Sequence, residues 1–90
     1  MPIIKIPTPL RPHTDGKREL ELEGKTAGEV LAALLALYPD LNDHFYDEKG
    51  EMRKFVNIIL GESHIRDLQG LDTPLADDDI LRILASISGG

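Results

Sequence analysis

The sequence predicts an α+β fold in which one main helix packs across one face of a mixed sheet of four to five strands. Two short amphipathic strand patterns come first and are followed by a single apolar helix pattern in residues 26–38. Two further strand patterns, 53–60 and 79–85, follow the helix. A hairpin, a helix and then more strands pack as one sheet with the helix against one face.

The first two strands are expected to form an antiparallel hairpin. Residues 3–6 are an apolar, β-branched run that ends at a pair of prolines, which cannot donate to a strand ladder. Residues 17–23 alternate, with Leu20 and Leu22 on one face and charged residues on the other. The Pro-, Thr- and Asp-rich residues 8–16 are predicted to be a loop. We expect the first strand inside the sheet and the second towards its edge.

The main helix begins with a capping-box pattern, in which Thr26 is followed three residues later by Glu29. Strong helix formers continue from residue 30 to residue 37, and Pro39 ends the helix near Tyr38. The apolar stripe predicted to face the core contains Ala27, Val30, Leu31, Leu34, Leu35 and either Leu37 or Tyr38.

The two later strands carry the remaining core positions, with a short strand or turn around Ile65 and Leu68 between them. Because successive side chains of a strand point to opposite faces, one set is predicted to face the core: Val56, Ile58, Leu81 and Ile83. The other set is predicted to lie on the outer face: Phe55, Asn57, Ile59, Arg82 and Leu84.

This order of elements is that of the β-grasp, or ubiquitin-like, fold, in which the first and last strands pair in parallel at the sheet centre. We assign residues 1–85 to the β-grasp domain and residues 86–90 to a flexible C-terminal Gly-Gly tail. Two glycines make a thin backbone that can enter another protein's active site with its terminal carboxylate. A frayed terminus is the alternative interpretation of the same residues.

Composition limits the class of protein. Ninety residues form one small domain, and the absence of cysteine excludes disulfides and thiolate metal sites. A net charge of −6 argues against a nucleic-acid partner, which would require clustered lysine and arginine. No apolar run approaches the ~20 residues of a membrane span, and the N-terminal residues lack a signal-peptide layout. We therefore expect no membrane partner and a cytoplasmic location.

Neither a metal site nor a catalytic residue is predicted. His13 and His44 have no neighbouring ligands at metal-binding spacing, so surface or hydrogen-bonded histidines are the better interpretation. The three acids of residues 77–79 could attract a hard cation but more often form a solvated turn.

An apolar patch on the outer sheet face is the candidate docking surface. Phe55, Ile59 and Leu84 form it, and Ile87 is a further candidate anchor in a partner's channel. Such patches on small domains usually mark a partner site. A covering loop, a dimer mate or a strand alternation shifted by one residue would also account for the pattern.

Several stretches resemble the MoaD/ThiS family of bacterial sulfur-carrier proteins, and together they span nearly the whole chain. The Val-Asn pair and the terminal Gly-Gly are common across that family, whereas the loop from Leu10 to Thr14 discriminates better. Ser86 departs from the family, in which proline is frequent in this stretch. The matching residues are Ile6-Pro7-Thr8, Leu10-Arg11-Pro12-His13-Thr14, Arg53, Phe55-Val56-Asn57-Ile58, Asp79, Ile83-Leu84 and Gly89-Gly90.

The resemblance implies a carrier cycle. An activating enzyme of the MoeB/ThiF type would use ATP to adenylate the Gly90 carboxylate, which follows Gly89, and sulfur would displace AMP to leave a thiocarboxylate. Within the family the chain is most similar to carriers of cysteine biosynthesis, which implies a PLP-dependent cysteine synthase and a metal-dependent protease as partners. The protein would then be a co-substrate that binds no cofactor, and not an enzyme.

Other functions are compatible with the same residues. The chain could be the small subunit of molybdopterin synthase, or a carrier for thiamine synthesis or tRNA thiolation. It could also be a ubiquitin-like modifier joined to lysines through Gly90, or an interaction module with an incidental tail. A copurifying large subunit, isopeptide remnants or the effect of removing Gly90 would distinguish these.

Overall fold

The structure, a computed structural model, describes residues 1–54 and 56–85. It has five strands and two α-helices, joined by four short 3-10 helices. The strands and helices are β1 (Ile3–Lys5), β2 (Glu19–Glu21), α1 (Ala27–Leu37), α2 (Asn42–Phe45), β3 (Val56–Leu60), β4 (Ser63–His64) and β5 (Ile80–Ala85).

The five strands form one mixed sheet in the order β2-β1-β5-β3-β4. β1 and β5 pair in parallel at its centre, and the other neighbouring strands pair antiparallel. The predicted β-grasp arrangement is therefore confirmed, including the inner position of the first strand and the edge position of the second.

The core lies between the inner sheet face and α1. Inward residues of the strands and the helix stripe are buried together with Phe45 of α2. On the sheet the buried side chains include Ile4, Val56, Ile58, Leu81 and Ile83. The predicted alternation of β3 and β5 is therefore confirmed over the described residues.

The predicted cap at the start of α1 forms, but the return bond from Glu29 goes to Lys25, the residue before the N-cap Thr26. The backbone N–H of Glu29 donates to Oγ1 of Thr26 over 3.1 Å. The carboxylate of Glu29 in turn accepts from the backbone N–H of Lys25 over 2.9 Å. Two N–H groups near the helix start are thereby satisfied, and the helix begins where the sequence predicts.

Of the two residues predicted as alternatives for the C-terminal end of the helix stripe, Tyr38 packs against the core and Leu37 does not. Leu37 is 58% exposed, whereas Tyr38 is half-buried against the core. The backbone of Tyr38 is no longer helical, with φ −130° and ψ 78°. The chain turns there, and the Tyr38 ring packs towards the core. In the segment between the two later strands, Ile65 is buried in the core and Leu68 is 44% exposed.

The segment predicted as a loop after β1 is instead largely a 3-10 helix, Thr8–Thr14. Its conformation is held by side chains: Nε of Arg11 donates to the carbonyl of Ile6 over 3.1 Å. Oγ1 of the fully buried Thr14 lies 3.3 Å from the Arg11 carbonyl and 3.2 Å from the Lys17 carbonyl. Leu10 lies buried in the core, as its apolar character requires.

The segment between α1 and β3 contains α2 and a turn. Asp47 Oδ1 accepts from the backbone N–H groups of Lys49 and Glu51, which closes the turn. Partial burial raises the pKa of the Tyr46 hydroxyl above its usual 10.0. None of the described helices is both long enough and apolar enough to cross a bilayer.

Candidate functional site

The outer face of the sheet is opposite α1, and it takes its residues from the outward positions of the strands. On β5 these are Ile80, Arg82 and Leu84, all of them exposed. Ile80 is 36% and Leu84 53% exposed, so β5 displays apolar side chains on both sides of a cation. Because β5 is a central strand, this exposed row runs along the middle of the outer face.

Strand register brings the outward residues of β3 beside this row. Ile59 is the register partner of Arg82, and Asn57 is the partner of Leu84. Ile59 is half-buried and Leu84 is exposed, so the structure places two of the predicted docking residues on one face, on adjacent strands. Their role in docking stays a prediction.

The other predicted site residues cannot be placed in the same way. Phe55, Ile87, Gly89 and Gly90 lie outside the described residues. The last described residue of β5 is Ala85, whose register partner is Val56, so β5 ends beside the start of β3. Leu84 is thus the exposed apolar residue of the row closest to the predicted tail.

Further residues on this face were not assigned to the site from the sequence. Lys5 of β1 is the register partner of Arg82, and Ile3 is the partner of Ile80. His64 of β4 is the partner of Ile59. The alternation of β1 places Lys5 on the outer side of its strand, and the strand order brings it beside Arg82.

His64 is held on this face through both of its ring nitrogens. Nδ1 accepts from the backbone N–H of Arg66 over 3.1 Å. In a neutral imidazole Nε2 then carries the proton, and it lies 2.9 Å from Oδ1 of Asn57. The side chains of β3 and β4 are therefore tied together at the edge of the face.

Two histidines that are not part of the outer sheet face are neighbours in the fold. The rings of His13 and His44 have centroids 4.3 Å apart and are tilted by 44°. No set of three potential ligands that could hold a metal occurs within residues 1–54 and 56–85. The pair therefore connects the 3-10 helix Thr8–Thr14 to α2 and is not a metal centre as it stands.

The acidic run of residues 77–79 forms a turn, in agreement with the preferred interpretation. Oδ2 of Asp79 accepts from the backbone N–H of Ala76 over 2.8 Å. The Asp79 backbone N–H also donates to the Ala76 carbonyl over 3.1 Å. This carboxylate therefore closes the turn that leads into β5.

Comparison with known proteins gives consistent results. The ThiS family profile matches residues 4–90. The chain is 37% identical to the sulfur carrier protein CysO of Mycobacterium tuberculosis, and the match covers 97% of this chain and 96% of that protein.

Solved structures give the same picture. A chain of the BexX/CysO complex of Amycolatopsis orientalis superposes with a TM-score of 0.87 at 28% identity, over 100% of both chains. The small archaeal modifier protein 1 of Methanosarcina acetivorans superposes with a TM-score of 0.83 at 36% identity, over 99% of this chain and 95% of that one.

Proposed function

The chain belongs to the ThiS family and is a homologue of the sulfur carrier protein CysO, and from this premise we propose that it carries sulfur as a thiocarboxylate on Gly90. The observation that supports this most is the extent of the family match. It runs from residue 4 through residue 90, so Gly89 and Gly90 belong to the matched sequence.

The chemistry proceeds in two steps, and both involve the terminal carboxylate of Gly90. In the first, a carboxylate oxygen attacks the α-phosphorus of ATP in the activating enzyme, and pyrophosphate leaves. In the second, a sulfide donor attacks the carbonyl carbon of the acyl-adenylate, and AMP leaves with the bridging oxygen. The product is a thiocarboxylate whose sulfur atom comes from the donor.

The folded domain contributes binding to this reaction and no reacting group. Glycines at the two last positions permit close approach of an enzyme's backbone to the acyl group, since neither has a Cβ. The outer sheet face, with Ile59 and Leu84, supplies a docking surface beside the end of β5. ThiF/MoeB-like activating enzymes, with ATP as their substrate, are the partners that this cycle requires.

Cysteine biosynthesis is the acceptor route that we propose. Similarity to CysO supports it, because that relative covers nearly the entire chain. In this route the thiocarboxylate sulfur replaces the activating group on the side chain of a serine held by a PLP-dependent cysteine synthase, which gives a thioester. The acyl group then shifts from sulfur to the amino nitrogen of the new cysteine and forms a peptide bond. A metal-dependent protease then hydrolyses the peptide bond that holds the new cysteine and restores Gly90.

Mass spectrometry of the intact protein tests the carrier function. The protein is incubated with a ThiF/MoeB-type activating enzyme, ATP and sulfide, and we expect the mass increase that results from replacing one oxygen by sulfur. Fragmentation should place the change on Gly90. The matched control is a chain lacking Gly90, whose carboxylate is one residue, about 3.5 Å, short of the same position.

Two outcomes would count against this function. One is the absence of any mass change with all activating enzymes of the family tried. The other is an equal modification of the chain that lacks Gly90, because the acyl group would then not depend on the full tail.

Protein modification is a second candidate function. The likeness to the small archaeal modifier protein 1 supports it, at 36% identity over nearly the whole chain. An acyl-adenylate at Gly90 can acylate a lysine as well as a sulfide donor. Protease digests of native cells would then contain lysines carrying a C-terminal remnant of this tail, and their absence under all growth conditions would exclude this role.

A further inference from the structure

The centre of the outer sheet face carries two cations in a protein whose net charge is −6. Lys5 of β1 and Arg82 of β5 are register partners across the parallel pair. Two like charges on adjacent strands of the same face repel each other. The folded sheet therefore gains no stability from having both cations in this row.

The two cations differ in their surroundings. Glu19 of β2 is the other register partner of Lys5, and its carboxylate offsets part of that charge. The other register partner of Arg82 is Ile59, an apolar residue. Among the described strand residues, the row thus places an acid next to Lys5 and none next to Arg82.

The neighbours of Arg82 along β5 are also apolar on this face. Ile80 and Leu84 lie two residues to either side and are both exposed. A partner surface that covers these side chains also removes water from around the guanidinium. A charge contact made in such a place has a stronger effect on specificity than one at a hydrated rim, and a wrong charge there is costly.

The length of chain between Arg82 and Gly90 indicates which partner can contact Arg82. Five residues follow Ala85, and even fully extended they span at most about 17 Å. Arg82 lies three residues before Ala85, which corresponds to about 10 Å of strand. Gly90 is therefore at most about 27 Å from Arg82, so an enzyme that encloses Gly90 in its active site can also cover the outer face around Arg82.

We propose that Arg82, reinforced by Lys5, is the electrostatic specificity contact of this face, and that the activating enzyme presents a carboxylate to it. This inference rests on the proposed function, because it takes adenylation of Gly90 as the event that requires docking. A guanidinium can bind a carboxylate through two parallel hydrogen bonds, so the contact fixes orientation as well as charge.

Steady-state adenylation kinetics of the full-length chain test the inference. Arg82→Glu should raise the KM for the carrier about tenfold or more, with kcat within about twofold at saturation, because like charges then meet on docking. Arg82→Met keeps an apolar stem without the charge and should give a smaller rise. Lys5→Met should give a rise smaller still, since Glu19 already offsets Lys5.

Lys25→Glu is the matched control, because Lys25 is exposed and lies in the connection between β2 and α1, away from the outer face. It changes the net charge as much as Arg82→Glu does, and its KM should stay within about twofold of the wild type. Added salt should raise the KM of the wild type and hardly affect that of Arg82→Met, since screening acts on the charge contact.

The results distinguish failure of this inference from failure of the proposed carrier function. A wild-type chain that is never adenylated overturns both. A wild-type chain that is adenylated, with an unchanged KM for Arg82→Glu or an equal rise for Lys25→Glu, overturns the charge contact alone. A rise for Arg82→Glu alone, with the salt dependence lost in Arg82→Met, supports it.

Discussion

Nε2 of His64 donates a hydrogen bond to Oδ1 of Asn57 over 2.9 Å, and this contact joins the edge strand β4 to β3 on the outer face. The backbone pairing of β4 with β3 extends over only two residue pairs, Ile59 with His64 and Leu60 with Ser63. A side-chain bond therefore matters more here than along a long ladder. We expect it to hold the edge of the docking face in place.

Removal of this acceptor should be measurable as a loss of stability. Asn57→Ala leaves a half-buried imidazole N–H without its protein partner, and the free energy of unfolding should fall by about 1 kcal/mol. Urea denaturation followed by circular dichroism measures it. In a double-mutant cycle with His64→Ala the two changes should couple by about 0.5 kcal/mol or more, and additive effects would contradict the bond.

Leu84 and Leu37 offer a direct test of which apolar surface binds the partner. Both are exposed, Leu84 at 53% on the outer sheet face and Leu37 at 58% at the end of α1. Leu84→Asp should raise the KM for adenylation about tenfold or more, because it places an unpaired charge in the covered surface. Leu37→Asp should leave the KM within about twofold, and a reversed pattern would place the docking surface on the helix side.

Thr14 has a structural role in the Leu10–Thr14 motif. Its fully buried hydroxyl is within hydrogen-bond distance of the Arg11 and Lys17 carbonyls. Thr14→Val keeps the shape and removes the donor, so the free energy of unfolding should fall by about 1–2 kcal/mol. Thr14→Ser keeps the hydroxyl and should lose less. If Val and Ser were equally tolerated, the hydrogen bonds would not be what maintains the motif.

Gly28 should resist replacement although it lies inside a helix. An added Cβ would lie 2.9 Å from the Leu71 carbonyl oxygen and 3.1 Å from the Leu71 Cβ. The helix propensity of alanine favours Gly28→Ala by at most about 1 kcal/mol, because Gly28 lies in the first turn of α1, but this crowding costs about 1–3 kcal/mol. We therefore expect a net loss in thermal denaturation. The exposed Ala32→Gly, which reports propensity alone, should lose about 1 kcal/mol, and a stabilising Gly28→Ala would show that Leu71 moves freely.

Strand faces were predictable from the sequence because they depend on a local rule. The alternation of β5 was enough to predict that Leu81 and Ile83 are buried and that Leu84 is exposed, as they are in the structure. The start of α1 was equally local, since Thr26 and Glu29 satisfy N–H groups within the same turn. These features need no knowledge of which elements become neighbours.

Other features depend on contacts between distant segments and could not be read from spacing. His13 and His44 are far apart in sequence, and only the packing of the 3-10 helix Thr8–Thr14 near α2 brings their rings together. The proximity of Lys5 to Arg82 likewise follows from the parallel pairing of the first and last strands. Periodicity also left Leu37 and Tyr38 as alternatives at the end of the helix stripe, because it takes no account of the chain turning at Tyr38.

The central place of β5 has a consequence for biosynthesis. β1 and β3 both bond to β5 and not to each other, and β5 is the last of the five strands to be translated. Before it emerges from the ribosome, the two halves of the sheet share no backbone partner, and such distant pairings form late. A chain cut short before this strand cannot complete the fold, so cellular proteases should remove prematurely terminated products before an activating enzyme meets them.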